Sequence, residues 1–299
     1  MSEALIAGVE LGGTKGVAVI ARGTEILAQV RVPTTTPAET LGALADWLRS
    51  KHAATPFAAL GIASFGPLGL NRAQSDYGFI TQTTKPHWSD TDVVGAFSSW
   101  FNGPLGFDTD VNGPALAEER WGAARGCSVH VYLTIGTGVG GGLVANGAPL
   151  HGFVHPEMGH VRVRRVVGDD FAGVCPFHGD CLEGLVSGPA LAVRTGVAGE
   201  LLTPEHPVWA NVAQEIAELM VTLILTASPQ KILIGGGVGM GQGFLLPLIR
   251  DAVALRLKGY VAGLDRAALN ELIIPPALGD RAGPLGAIAL GLNALSAKK

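Results

Sequence analysis

Two short stretches of this 299-residue chain concentrate residue types that bind metals. Glu157-Met158-Gly159-His160 is followed by Cys175-Pro176-Phe177-His178-Gly179-Asp180-Cys181-Leu182-Glu183, which places two of the three cysteines and two histidines in one segment. Cys175, His178 and Cys181 recur at intervals of three, and His160 and Cys175 frame a loop. Two thiolates and two imidazoles complete a tetrahedral zinc shell with no position left for water, which predicts a structural metal rather than a hydrolytic one. Glu157 and Glu183 interleave with these ligands, so the metal would brace a loop that presents carboxylates to a polar ligand. A disulfide between Cys175 and Cys181 is the alternative, and it fits a reducing compartment poorly. His151 and His155 lie close enough in sequence to compete with His160 as ligands and are read as loop residues.

Three glycine clusters come next. Gly12-Gly13-Thr14-Lys15 and Gly136-Thr137-Gly138-Val139-Gly140-Gly141-Gly142 each sit between strand-like segments. The letters Gly136-x-Gly138-x-x-Gly141 match a dinucleotide fingerprint, but that mechanism needs a helix directly after the glycines, and a strand pattern follows here. Either turn alone is explained by hairpin geometry. Two in matching positions, each with a threonine, also suit phosphate: glycine lets backbone N–H groups approach anionic oxygens, Thr14 and Thr137 add hydroxyls, and Lys15 adds a cation. Gly235-Gly236-Gly237 follows a further strand and would leave open backbone for a nucleoside.

Asp110 stands where a strand pattern gives way to a helix pattern. There a carboxylate either caps the helix or accepts a proton from a substrate hydroxyl, and the local sequence leaves both open. Asp108 reads as buried or turning the chain.

The elements that position these residues follow a repeated plan. Residues 5–10, 16–21 and 25–32 read as an antiparallel meander, and Thr36-Pro37-Ala38-Glu39 is a capping box opening a helix to about Lys51. Strands are expected at 59–64 and 103–107, and a helix at 115–124 begun by Asn112 and Pro114. The plan restarts with a strand at 129–135, a glycine turn and a strand at 143–145, so that 7–27 and 131–150 are matching starts. A helix from about 208 to 227, a strand at 231–234, Ile273-Ile274 and an Ala-rich helix after Gly283-Pro284-Leu285-Gly286 complete the chain. The apolar run 216–227 is interrupted by Glu218, is too short for a bilayer and reads as a buried helix. A net charge of −4 gives no support for nucleic acid or an anionic membrane. Met1-Ser2-Glu3 carries no basic region, so no secretory signal is expected and a cytoplasmic protein is.

On these residues the chain resembles the ROK family of sugar kinases. Glu10-Leu11-Gly12-Gly13-Thr14-Lys15 looks like that family's first phosphate turn, residues 135–142 like its second, and Glu157-Met158-Gly159-His160 with 175–183 like its sugar-and-zinc signature. The resemblance covers nearly the whole chain. It implies a two-domain actin/Hsp70/hexokinase-like (ribonuclease H-like) α/β fold with a cleft between duplicated domains. The domains would be 1–125 and 126–283, with a closing helix at about 284–299 packed back onto the first. Asp110 would be the general base. Gly66, Pro67, Thr109, Glu157, His160 and Glu183 would line the sugar, with His160 turning one ring nitrogen to it and the other to zinc beside Cys175, His178 and Cys181. Gly12, Gly13, Thr14, Lys15, Thr137, Gly138, Gly235, Gly236 and Gly237 would hold ATP with Mg2+, in a homodimer.

Many relatives have Asn where Thr109 stands, which turns the reading away from glucose, and many have Asp where Glu10 stands. With His178 as a zinc ligand, both features look like the bacterial fructokinase branch. The rivals are a kinase for glucose, mannose or an N-acetylated hexosamine, a sugar-responsive binding protein without turnover, and a hydrolytic zinc enzyme. Repressor relatives carry an N-terminal helix-turn-helix, for which this sequence leaves no room.

Overall fold

A computed structural model describes residues 4–297, so Lys298 and Lys299 of the expected closing helix lie outside the described residues. The chain divides into two compact units. Within the described residues, unit 1 comprises 4–125, 147–155 and 280–297, and unit 2 comprises 126–146 and 156–279.

Unit 1 opens with the meander β1 (Ile6–Leu11), β2 (Lys15–Arg22) and β3 (Glu25–Pro33). Glu10 pairs with Val17 and Leu11 with Gly16, which leaves residues 12–14 as the turn. Helix α1 (Pro37–Ala54) begins where Thr36 accepts from Glu39 N, and Pro37 sits where its missing N–H costs nothing. β4 (Ala59–Ser64) follows, then a small ribbon of β5 (Phe79–Ile80) and β6 (Thr91–Asp92), helix α2 (Val93–Ser98), β7 (Leu105–Thr109) and α3 (Asn112–Trp121). The sheet order is β3-β2-β1-β4-β7, with β1, β4 and β7 parallel. β4 is buried at every position, as expected of a strand covered on both faces, whereas edge strand β3 alternates. One of those covers is α10 (Ala282–Ala297), which lies along β1, β4 and β7.

Unit 2 repeats the start. β8 (Val129–Ile135) pairs antiparallel with β9 (Val139–Ala145), and Ile135 opposite Val139 leaves Gly136-Thr137-Gly138 as the turn. After the turn at Asn146 and Gly147, both at positive φ, the chain returns to unit 1 with the two-residue β10 (Ala148–Pro149). Unit 2 continues through α4 (Leu182–Val186), α5 (Gly188–Thr195), α6 (Val208–Ala227), β11 (Lys231–Gly235), α7 (Gly236–Gly241), α8 (Leu245–Leu257), α9 (Arg266–Leu272) and β12 (Ile273–Ile274). Its strands run β9-β8-β11-β12, with β8, β11 and β12 parallel.

The apolar run expected to be too short for a bilayer belongs to the 20-residue α6, which has the length and composition to cross one. Val212, Ile216 and Met220 instead bury in the core of unit 2 with β8 and β11, as for a core helix. Of the glycines at 235–237, Gly236, at positive φ where a Cβ would overlap the Ile135 backbone, turns the chain from β11 into α7, and a Cβ at Gly237 would meet nothing within 4 Å.

Candidate active site

Four side chains of unit 2 converge. The ligand atoms of His160, Cys175, His178 and Cys181 all lie within 4.8 Å of one another. Cys175 Sγ is 3.7 Å from His160 Nδ1 and 3.6 Å from His178 Nδ1, and Cys181 Sγ is 3.6 Å from His160 Nδ1. A tetrahedral ion with Zn–S of about 2.3 Å and Zn–N of about 2.0–2.1 Å requires S···N edges of about 3.6 Å, so the donor set fits zinc. Both cysteines are free thiols rather than a disulfide. Burial, with the neighbouring Cys175 thiol, pushes the Cys181 thiol up to about 11, and a divalent cation supplies the charge that makes such a thiol a ligand.

The backbone explains the placement. Cys175 and Gly179 exchange both amide hydrogen bonds (3.1 and 2.9 Å), which closes Cys175-Pro176-Phe177-His178-Gly179 into a tight loop and turns His178 back on Cys175. Cys181 is the N-cap of α4, and Leu182 N donates to Val161 O at 3.0 Å, which brings the strand leaving His160 alongside. Asp180 accepts from Arg162 at 2.8 Å and from Arg165 at 3.5 Å, outside the ligand cluster. His160 directs Nδ1 to the thiols, so Nε2 is the nitrogen left to face a ligand.

Two carboxylates flank the cluster. Burial, then the charge of Glu183, pushes the Glu157 carboxyl up to about 7. Glu183, in the first turn of α4, accepts from Val139 N at 2.9 Å with Oε2. That N–H opens β9 directly after the second glycine turn, whose Thr137 is exposed.

In unit 1, Gly13, Thr14 and Lys15 are exposed at the β1–β2 turn. The Glu10 carboxyl is raised by burial, against the pull of Lys15 and Arg31, and lies where a Cβ on Gly283 at the start of α10 would overlap it. Asp110 follows the last residue of β7, and its N–H donates to Ser64 O at 2.8 Å. The N-cap position of α3 is Val111, and Thr109 Oγ1 accepts from Asn112 N at 3.0 Å, so Asp110 is not the capping position that the sequence left open. Thr109 is buried with its hydroxyl oxygen engaged in this turn. Asp108 is buried as expected and accepts from Thr109 N and from Asn112 Nδ2, both at 2.7 Å.

Sequence reasoning missed two histidines. His151 Nε2 lies 3.0 Å from Asp108 Oδ2, a hydrogen bond that raises the imidazole pKa against its partial burial. His155 is buried, and its Nε2 accepts from Leu68 N at 3.0 Å, beside the cis Gly66-Pro67 bond. No local pattern signals either role, because the partners lie 43 and 87 residues away.

A family model described as the ROK family matches residues 6–294. The chain belongs to the ROK family. A fructokinase from Zymomonas mobilis subsp. mobilis is 45% identical over 292 residues, covering 96% of each chain. A fructokinase from Pediococcus pentosaceus is 41% identical over 292 residues, covering 97% of this chain and 99% of its own. Among solved structures, the ROK hexokinase from Thermus thermophilus superposes with a TM-score of 0.79 at 26% identity, covering 98% and 99%. The repeated strand–turn–strand starts and the parallel strands of both units are thus those of a two-domain α/β fold of the actin and hexokinase type.

Proposed function

We propose that this ROK chain is an ATP-dependent hexose kinase that converts D-fructose to fructose 6-phosphate. The observation that carries the reading is the 45% and 41% identity, over nearly the full chain, to two fructokinases. Phosphoryl transfer asks little covalent chemistry of a protein; it asks for alignment and charge neutralisation. Asp110 takes the proton of the sugar's primary hydroxyl at O6. The turn that presents it is fixed by Thr109 Oγ1 on Asn112 N and by Asp108 on Thr109 N and Asn112 Nδ2. Glu157, Glu183 and His160 through Nε2 bind sugar hydroxyls, and Gly66 and Pro67 line the sugar.

His160, Cys175, His178 and Cys181 are the residues that would hold zinc, which supplies bracing for the sugar loop and no direct activation of the reacting oxygen. The N–H groups of the turns at Gly12-Gly13-Thr14-Lys15 and Thr137-Gly138, with Gly235, Gly236 and Gly237, bind ATP, and Mg2+ bound with it supplies charge neutralisation. A cytoplasmic homodimer completes the reading; the free thiols suit a reducing compartment.

The test is ATP-dependent phosphorylation of fructose, glucose, mannose and N-acetylated hexosamines by zinc-loaded protein, with Asp110→Asn alongside. The expected result is highest kcat/KM on fructose and a kcat loss of about 10²–10⁴-fold in the variant. Wild-type turnover by Asp110→Asn at saturating sugar would remove the base assignment. Highest efficiency on another sugar would keep the kinase and remove fructose.

A further inference from the structure

Glu183 has a partner that sugar recognition does not account for. Its Oε2 accepts from Val139 N at 2.9 Å, and a Cβ on Gly138 would stand 2.7 Å from that same oxygen. The carboxylate therefore sits where the second glycine turn passes into β9, against Gly138 and Val139. Two more contacts secure that turn. Gly188 N, at the start of α5, donates to Gly136 O at 2.7 Å, and Gly159 packs so closely on Val139 that a Cβ there would overlap the Val139 carbonyl. Gly136 N donates to Gly138 O at 2.9 Å and closes the turn on itself.

Two of these buttresses, Gly159 and Glu183, come from the segments that carry the candidate metal ligands. Gly159 adjoins His160, and Glu183 is two residues beyond Cys181 on the same helix. The carboxylate of Glu157 is near enough to feel the charge of Glu183. The turn is otherwise rich in glycine and exposed at Thr137, so it has little side-chain packing of its own to set its shape.

We propose that Glu183 is a positioning residue for the nucleotide: by holding Val139 N–H it fixes the phosphate-binding shape of the Gly136-Thr137-Gly138 turn before any sugar arrives. This rests on the reading of that turn as a phosphate site. One carboxylate then serves two ligands, with Oε2 on the turn and the remaining acceptor capacity for sugar. Sugar and nucleotide affinities are linked through it in both directions.

The experiment measures binding of a non-hydrolysable ATP analogue with Mg2+, without sugar, by calorimetry, for the wild-type full chain and for Glu183→Ala, Glu183→Asp and Glu183→Gln. Glu183→Ala removes the acceptor and Glu183→Asp withdraws it by one methylene; each is expected to weaken nucleotide binding about tenfold, the size of a lost charge-assisted hydrogen bond. Glu183→Gln keeps a carbonyl oxygen for Val139 N–H, so it restores nucleotide affinity while still binding fructose more weakly. Wild-type nucleotide affinity in Glu183→Ala or Glu183→Asp overturns the proposal. So does a Glu183→Gln variant as weak as alanine, provided its thermal unfolding matches the wild type. A wild-type protein that shows no nucleotide affinity would instead remove the phosphate reading of the turn.

Discussion

At the scale of single residues, legibility followed sequence distance. Cys175, His178 and Cys181 announce themselves because a metal loop needs its donors within one short turn, and the tight Cys175–Gly179 loop supplies that turn locally. His151 carries no such signal. Its partner Asp108 is 43 residues away and is buried, while the imidazole is partly exposed. The pair makes a prediction of its own. The Asp108 hydrogen bond raises the His151 pKa above its unfolded value, so the stabilisation from this contact is fully present below about pH 6.5 and is lost as pH rises through the folded value. Among the titratable groups nearby, Tyr77, which Asp108 also influences, ionises far above this window. Denaturant unfolding of wild type and His151→Ala should therefore differ most near about pH 5.5, and the difference should shrink by about pH 8.5. A gap that stays constant or widens with pH would mean that the contact does not involve the charged imidazole.

At the scale of elements, the meander, the cap at Thr36 and the two strand–turn–strand starts were legible because each is written in local pattern and turn chemistry. The boundaries of β7 and α3 shifted, from an expected strand at 103–107 and helix at 115–124 to Leu105–Thr109 and Asn112–Trp121. Thr109 Oγ1 starts the helix early at Asn112, and Pro114 in its first turn forfeits no intrahelical bond. Helix α7 was hidden because glycine-rich sequence has poor helix propensity and only the tertiary setting after β11 makes it helical. The metal loop is the element whose function is most exposed to test. Its outer face is held by Asp180 with Arg162 and Arg165, and Arg165 continues to Asp169 at 3.1 Å. Arg194 pairs with that Asp169 and reaches Glu215 on α6 at 2.9 Å. The loop is thus tied to the core of unit 2 independently of its donors. Cys175→Ser should then leave a folded protein that has lost most of its zinc. Its KM for sugar should rise about tenfold or more while kcat at saturating sugar moves less, because second-layer bracing acts mainly on binding. Metal content by atomic absorption, read beside initial rates, decides it; a zinc-free variant with wild-type KM would show that the loop needs no metal.

At the scale of the whole molecule, unit 1 is assembled from three separated stretches of chain, and the last of these brings α10 onto its sheet. Local pattern identifies α10 as a helix but does not say how closely it approaches the strands. The answer lies in register. Gly8 of β1 pairs with Gly61 of β4, and Gly61 pairs with Gly106 of β7, so three parallel strands present one row of glycines. Helix α10 lies in that furrow: a Cβ at Gly61 would overlap the Ala287 carbonyl and the Gly291 amide, and one at Gly106 would overlap the Leu290 carbonyl. The same helix meets the start of α3, where a Cβ on Gly286 would overlap the Gly113 backbone, three residues beyond Asp110. The neighbours are backbone atoms and cannot rotate away. Gly61→Ala must therefore lift α10 from the sheet, at a cost of about 3 kcal/mol or more. Gly42 is the internal contrast. It lies within α1, and an added Cβ there meets nothing within 4 Å. Gly42→Ala removes unfolded-chain entropy from a helical position and should stabilise by about 0.5–1 kcal/mol. The same chemical change is thus expected to act with opposite sign at two glycines of one unit, as read by equilibrium denaturation of both variants. If Gly61→Ala were as stable as the wild type, the helix would not be seated in the furrow, and the turn that presents Asp110 would owe its position to its hydrogen bonds through Ser64, Asp108 and Thr109 without the support of α10.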